Sequence, residues 1–487
     1  MSCRSKLVLT LVYRAGLDLA KAYRYKSQMA NRIKTATLNV AFIFSLYIPT
    51  SLVFYFAISK NYIPTDEFSH IRLVILLLFS PIIIKYIIHL LIAPWYPAVE
   101  FSRSRKRSVK YIPSVSVLIP AWNEEVGIRA TIKSILNTKY PHLEIIVIND
   151  GSTDRTHDVV TQFIAQYHST HRKSDTLIQY KCVPNGGKAR ALNAALSMAQ
   201  GDIIITIDSD SVMDPNAIKN MVKHFTDSRV VSVAGNVVIG NRRKPIGLIQ
   251  QLEYLYGFYF KRADSLLNAV YIVGGAAAAY RKKIIVDLGG FDENIITEDI
   301  ELSTRLQNHG YHVRYAADAI VYTEGPSDFG ALCRQRLRWK FGRLLTFYKY
   351  RNLFFSVNRK HNFYLSFLIL PIALFAEILL FFEGIFLTVF YAYTFYTYDF
   401  APLVFVIFLL TGVIYLQILS DPKTRYHRNL LLLAPGAWIL FYVMDFVEYQ
   451  ALVRSIWRMI TKQNLIWQSW VRSGVFENVP KESTIPQ

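Results

Sequence analysis

Acidic residues gather at a few points in this sequence where they could do chemistry. Asp208 and Asp210 stand two apart in DSD (208–210), directly after an apolar run. On a strand, residues i and i+2 point the same way, so the two carboxylates repel unless a cation lies between them. Carboxylate oxygens combined with phosphate oxygens suit Mg²⁺ or Mn²⁺, and a metal-bound diphosphate is the economical reading of the pair. PAWNEE (120–125) and NDGSTD (149–154) are acid-rich as well. Each alone also reads as a turn, with Ser152 or Asp154 capping the helix that follows. Glu298 and Asp299 open ITEDIELSTRL (296–306), where acids complement the dipole of a helix N-terminus. QRLRW (335–339) puts Gln335, Arg338 and Trp339 at i, i+3 and i+4, on one helical face. That face also suits an interfacial helix anchored by arginine and tryptophan.

The elements that must position these groups alternate. VSVLIP (115–120), LEIIVIN (143–149), TLIQYKCV (176–183), DIIITID (202–208) and VVSVAG (230–235) read as buried strands. Between them 125–137, 153–166, 187–199 and 214–226 read as helices, and 331–348 forms a basic aromatic helix. The alternation predicts an α/β domain with a mostly parallel sheet and ligands at the carboxyl ends of its strands. No G-x-G-x-x-G follows the first strand and no G-x-x-x-x-G-K-[ST] occurs, so polar residues at strand ends must carry the binding.

Around this block the chain is apolar. Of 487 residues 52% are hydrophobic and only 18% charged, which excludes a disordered chain. Residues 36–58, 71–94, 363–390, 400–420 and 429–450 are each long enough to cross about 30 Å of hydrocarbon. The net charge of +20 sits beside these runs: 1–34 hold eight basic residues against Asp18, and 334–362 hold nine basic residues and no acid. Charge so placed reports topology and anionic lipid, and excludes a nucleic-acid partner. It puts the N-terminus and 95–362 in the cytoplasm and the first loop outside. Three C-terminal spans would then carry the basic tail 451–487 outward, against the charge rule. Either 363–398 hides two crossings or 429–450 is re-entrant. Three cysteines without paired spacing exclude a disulfide framework and a zinc ribbon.

The ordered set PAWNE, NDGSTD, NGGKARALN (185–193), DSD, TED and Q-x-x-R-W, set between transmembrane runs, resembles the membrane-embedded family 2 glycosyltransferases. These include the cellulose, chitin, hyaluronan and poly-N-acetylglucosamine synthases. The resemblance covers roughly 115–350 with flanking spans. It implies a GT-A-like fold and a UDP-sugar donor. Ala121, Asn123, Glu124 and Asp150 would line the nucleoside pocket, and Lys188 would approach the nucleotide. Asp208 and Ser209 would help hold the donor, with Asp210 carrying Mg²⁺ or Mn²⁺. Asp299, beside Glu298, would be the general base. Arg338 would hold diphosphate oxygens, Trp339 would stack an acceptor sugar with Gln335 beside it, and Gly274 and Gly275 would belong to an acceptor wall in VGGAAAAYR (273–281). One base and no second carboxylate nucleophile implies single displacement, from a UDP-α-sugar to a β-linkage.

The departures are Asn149, where relatives have Asp, Trp122 where Tyr is common, and the VGGAAAAY stretch in place of S-G-P-L. These, with ALVRSIWRMI and the nearby Trp470 and Arg472, favour a poly-N-acetylglucosamine-type synthase over a cellulose synthase. The expected organisation is a basic cytoplasmic segment (1–35), two transmembrane helices (36–94), a cytoplasmic transferase domain with interfacial helices (95–350), C-terminal transmembrane helices (351–450) and a tail (451–487). The expected place is the plasma (inner) membrane, with a polysaccharide acceptor, membrane lipids and room for a small membrane partner subunit. The alternatives are single-sugar transfer to a lipid carrier, and a transporter or nucleotide-sugar sensor without catalysis.

Overall fold

The computed structural model describes residues 23–48, 66–106, 111–138, 140–170, 176–398 and 400–463, with 465 and 474. Trp470, Arg472 and the second half of the 36–58 run lie outside them. A helix over 23–48 (α1), α2 (Asp66–Ile92) and α3 (Tyr96–Lys106) precede the sheet. Then come β1 (Val115–Ala121), α4 (Ile128–Leu136), β2 (Leu143–Asp150), α5 (Thr156–Thr170), β3 (Leu177–Val183), α6 (Lys188–Met198) and β4 (Ile203–Thr206). They are followed by β5 (Ser211–Met213), α7 (Ala217–Val222), β6 (Val230–Ile239), α8 (Pro245–Leu266), β7 (Ala278–Arg281), α9 (Lys282–Asp287), α10 (Glu298–Asn308), β8 (His312–Thr323) and α11 (Phe329–Lys349). The chain closes with α12 (Leu370–Thr397), α13 (Ala401–Ser420) and α14 (Ala437–Ile460).

The eight strands lie in the order β3-β2-β1-β4-β7-β6-β8-β5. β3, β2, β1 and β4 are mutually parallel, as is the β6–β8 pair, whereas β7 runs antiparallel to both neighbours and β5 antiparallel to β8. Both faces of the sheet are covered, so β1, β2 and β4 are buried at every position and mostly apolar. Val117, Ile119, Ile145, Val147 and Ile205 face one side, packed against Ile128 and Ile132 of α4 and Val160 of α5. Leu118, Ile146, Ile148 and Ile204 face the other, against Leu192 of α6 and Leu302 and Leu306 of α10. Each such buried side chain contributes about 1.5–3 kcal/mol. This two-sided core holds the strand ends rigidly at one rim.

Two long helices join the sheet to the apolar segments. On α8, Tyr259, Phe260 and Ala263 pack against Ile43, Leu90 and Val413, while Leu252 and Leu255 meet Ile414 and Ile418. On α11, Leu332 packs with Ile249, Met444 and Val447, and Phe347 with Leu365 and Ile369. The start of α11 is fixed by Asp328, whose side chain accepts from the Ala331 N–H at 2.8 Å.

Among the described residues three helices are long and apolar enough to cross a membrane: Leu77–Ser104, Leu365–Thr397 and Ala401–Ser420. Leu365–Thr397 is continuous, so it does not hide two short crossings. The break falls later, where Thr424–Leu430 and Ala434–Ile460 meet at 56°. Such a bend fits either a broken span that still crosses or a re-entrant segment.

Candidate functional site

The rim at the carboxyl ends of β1, β2 and β4 opens into a cavity of about 1220 Å³. β1 contributes Ala121 and, just beyond it, Glu124, both lining the space. Asn123 does not line it. Its backbone takes φ 55°, and its side-chain oxygen accepts from the Thr153 N–H at 2.8 Å, tying the β1 loop to the NDGSTD loop. Asp154 does cap the next helix, accepting from the Thr156 N–H at 2.9 Å. Asp150 lines the cavity, and its two carboxylate oxygens accept from the N–H groups of Gly186 and Gly187, each at 2.9 Å. Gly187 adopts φ 89°, a left-handed conformation that glycine takes at little cost. Asp150 thus fixes the turn that aims Lys188, the first residue of α6.

The Lys188 ammonium lies 2.7 Å from Asp208 and 2.9 Å from Glu298. It therefore bridges the end of β4 to the N-terminus of α10. Burial disfavours its charge, but Asp208, Glu298 and Asp299 outweigh that and raise its pKa. Glu298 is pushed up by burial, with Lys188 opposing. Its burial answers whether TED is only a helix-opening acid pair, since a solvated dipole-complementing residue would not be 4% exposed. Asp208 and Asp210 both line the cavity but not from a strand: β4 ends at Thr206, and both acids sit in the turn beyond it. One oxygen of Asp210 accepts from Ser211 at 3.0 Å and from Thr323 at 3.3 Å. Ser209 lines the same wall.

Gly274 and Gly275 form the facing wall, Gly274 at φ +87°. A Cβ on Gly275 would fall 2.5 Å from the Lys188 ammonium, 3.5 Å from Glu298 and 3.6 Å from Asp299. Only glycine leaves that space open. The same stretch continues as β7, so wall and strand are both present there. Asp299, whose Oδ1 accepts from the Ile300 N–H at 2.9 Å, faces the cavity. From α11, Gln335, Arg338 and Trp339 line it together. Gln335 is 6% exposed, and its Oε1 has no hydrogen-bond partner among the described residues, as expected of a group kept for a ligand.

Sequence reasoning did not single out Glu253, Lys261 or Lys340, which also line the cavity. Glu253 and Lys261 lie on α8 and Lys340 on α11, and no motif marks any of them. Beyond Trp339 the cavity continues to Leu410 of α13 and Met444, Asp445 and Glu448 of α14.

Asp208 and Asp210 supply hard carboxylate oxygens that fit a divalent cation. No cluster of three or more His, Cys, Asp or Glu residues is present among the described residues, so such an ion would need further oxygens from a diphosphate or water.

Residues 113–342 match the family described as "Glycosyltransferase like family 2". This segment is a family 2 glycosyltransferase domain. It holds all of the site just described except the part of the cavity beyond α11. The chain is 32% identical over 249 residues to a poly-beta-1,6-N-acetyl-D-glucosamine synthase of Staphylococcus aureus, a match covering 50% of this chain and 58% of that protein. It is 34% identical over 262 residues to the probable glycosyltransferase YdaM of Bacillus subtilis, covering 52% and 61%. The chain thus spans about three fifths of the length of these curated relatives. Among solved structures it is similar to the mannosyltransferase PcManGT from Pyrobaculum calidifontis in complex with GDP-Man and Mn²⁺, with a TM-score of 0.48, 20% identity, and coverage of 80% of this chain and 100% of that one.

Proposed function

We propose that this protein is an inverting membrane glycosyltransferase. It would move a sugar from a UDP donor onto a growing β-linked polysaccharide and pass the chain outward along its apolar helices. The carrying observation is that one cavity joins the strand-end acids, Asp299, Trp339 and the α13–α14 pair. A single-transfer enzyme has no need of a cavity that runs on past its acceptor platform. N-acetylglucosamine is the favoured sugar, on the likeness to the S. aureus synthase.

In this reading Ala121 and Glu124 border the nucleoside, and Asp150 and Asn123 act through the loops they tie. Asp208, Ser209, Lys188 and Arg338 hold the donor. A divalent cation at Asp210, Mg²⁺ or Mn²⁺, would neutralise charge on the departing diphosphate. Asp299 takes the proton of the acceptor hydroxyl as that oxygen attacks the anomeric carbon. The bond to UDP breaks on the opposite face, inverting the centre. Glu298 anchors Lys188, Trp339 stacks the acceptor's apolar face, and Gln335 and the Gly274–Gly275 wall border the acceptor. The transferase domain faces the cytoplasm, 36–94 and 351–450 supply the membrane part, and a small membrane subunit would sit against the latter.

Purified protein in detergent, given each radiolabelled UDP-sugar with Mg²⁺ or Mn²⁺, tests this by the size of the product. A polymer from UDP-N-acetylglucosamine is expected. A single sugar on lipid would replace polymer synthesis with carrier glycosylation, and no UDP release with any donor would sink the enzymatic reading. Asp299→Asn should lower turnover about 10²–10⁴-fold while UDP binding persists.

A further inference from the structure

Arg336 lies next to the acceptor platform and is 2% exposed, too buried for a guanidinium to remain without a counter-charge. That partner comes from another helix. Glu253 of α8 accepts from Arg336 at 2.7 Å, across 83 residues of sequence. The guanidinium carbon in turn sits 4.2 Å from the centre of the Trp339 ring, within range of a cation–π interaction. Tyr254, the neighbour of Glu253 on α8, brings its ring to 6.5 Å from the same indole. Glu253, Tyr254, Arg336 and Trp339 all line the cavity.

We propose that Glu253 is a positioning residue for the acceptor: by holding the Arg336 guanidinium over Trp339 it fixes the indole as a flat platform for the sugar. A tryptophan on a helix facing an open cavity has two side-chain torsions to lose. Clamping it beforehand removes that cost from acceptor binding. The groups facing Glu253 are Arg336 and Lys340 from α11 and Glu448 from α14. Burial pushes the Glu253 carboxyl up to about 7, with Arg336 opposing and Glu448 adding to it. Near neutral pH an uncharged oxygen therefore accepts from Arg336 part of the time, and glutamine is the conservative replacement.

The inference rests on Trp339 being the acceptor platform, so the two are tested side by side. Initial rates are measured with the UDP-sugar that supports turnover and a short N-acetylglucosamine oligosaccharide as acceptor. Glu253→Met keeps the volume and removes the hydrogen-bond acceptor. It should raise the acceptor KM about tenfold, the worth of one charge-assisted hydrogen bond, and leave the donor KM essentially unchanged. Glu253→Gln, which keeps an oxygen on Arg336 but not the charge, should fall between wild type and the methionine variant. Retained UDP affinity shows that the variants are folded, and Glu253→Ala serves if the methionine variant is not. An unchanged acceptor KM in Glu253→Met, a parallel rise in both KM values, or a glutamine variant as impaired as methionine would each overturn the proposal. If Trp339→Ala raises the acceptor KM and Glu253→Met does not, only the positioning role fails. If Trp339→Ala has no effect, the platform reading fails and takes this inference with it.

Discussion

The backbone of Gly342 on α11 packs so closely against the side chain of Thr297 that a Cβ on Gly342 would overlap it. Thr297 is the N-cap residue of α10, adjoining Glu298 and Asp299. This contact sets the distance between the helix that carries Gln335 and Trp339 and the helix that carries Asp299. In an ordinary exposed helix, Gly→Ala stabilises by about 1 kcal/mol. Here the sign reverses, because the methyl group must displace α11 from α10. Gly342→Ala is expected to lower turnover at saturating donor by about 10²-fold, the cost of an ångström-scale misplacement. UDP affinity should fall by much less, since Asp208, Ser209 and Lys188 lie off α11 and only Arg338 among the residues placed on the donor moves with that helix. A Gly342→Ala protein with wild-type kcat would show that the spacing is not used.

The Lys188 bridge leads to a second expectation. Replacing Lys188 with Met leaves Asp208, Glu298 and Asp299 without the cation that lies among them. The donor's diphosphate then meets uncompensated carboxylates. UDP affinity, read by calorimetry in the presence of Mg²⁺, should fall at least about tenfold, the scale of one charge-assisted contact. Gly275→Ala should weaken UDP binding through the same atoms, since its methyl would displace the ammonium. If Lys188→Met binds UDP normally, the lysine serves structure alone.

How far these relationships could be read in the sequence follows from what each depends on. The strands β1, β2 and β4 were legible as mostly apolar, β-branched runs with turn residues at their ends, and β3 and the helices by the alternation around them. β8 was not, because Arg314 and Asp318 interrupt its apolar pattern although all but His312 and Asp318 are buried. The acids at the strand ends were legible as residue types. Their geometry was not: Asp208 and Asp210 share a cavity through a turn, not through strand alternation. Glu253, Lys261 and Lys340 look like ordinary charges on amphipathic helices. Their roles arise only when distant elements close around the cavity, and no local period encodes that.

Lys340 shows the same principle in the membrane-facing half. Its side chain is 3% exposed and lies 2.7 Å from Glu377 of α12 and 2.6 Å from Glu448 of α14, while Arg343 also pairs with Glu377. One buried ammonium therefore ties α11 to two helices of the apolar bundle. Removing one member of a buried ion pair costs about 3–5 kcal/mol, because the partner stays buried without compensation. Lys340→Met should lower the thermal midpoint in detergent, and adding Glu448→Gln should recover part of the loss. An unchanged midpoint in the single variant would mean that the cluster does not hold these helices together.

Lys261 sets a pH dependence in which activity and stability run in opposite directions. Its ammonium lines the cavity 4.4 Å from the Phe258 ring, and Asp264, which is bonded to His89 at 2.8 Å, lies one helical turn further on. Burial lowers its pKa to about 8, with Asp264 and Asp299 opposing. Below that pH the side chain is a cation lining the cavity, and above it the charge is lost. If the cation contributes to substrate binding, kcat/KM falls as pH rises through about 8. Lys261→Arg, which stays charged, should carry the plateau to higher pH. Stability follows the other sign. Between about 8 and the ordinary lysine value near 10.4 the unfolded chain binds more protons at this position than the folded one, so this residue's contribution to stability grows as pH rises. Rate profiles and thermal midpoints measured across pH 7–10 on wild type and Lys261→Arg check both halves. An alkaline limb unmoved by the arginine would assign that limb to another group.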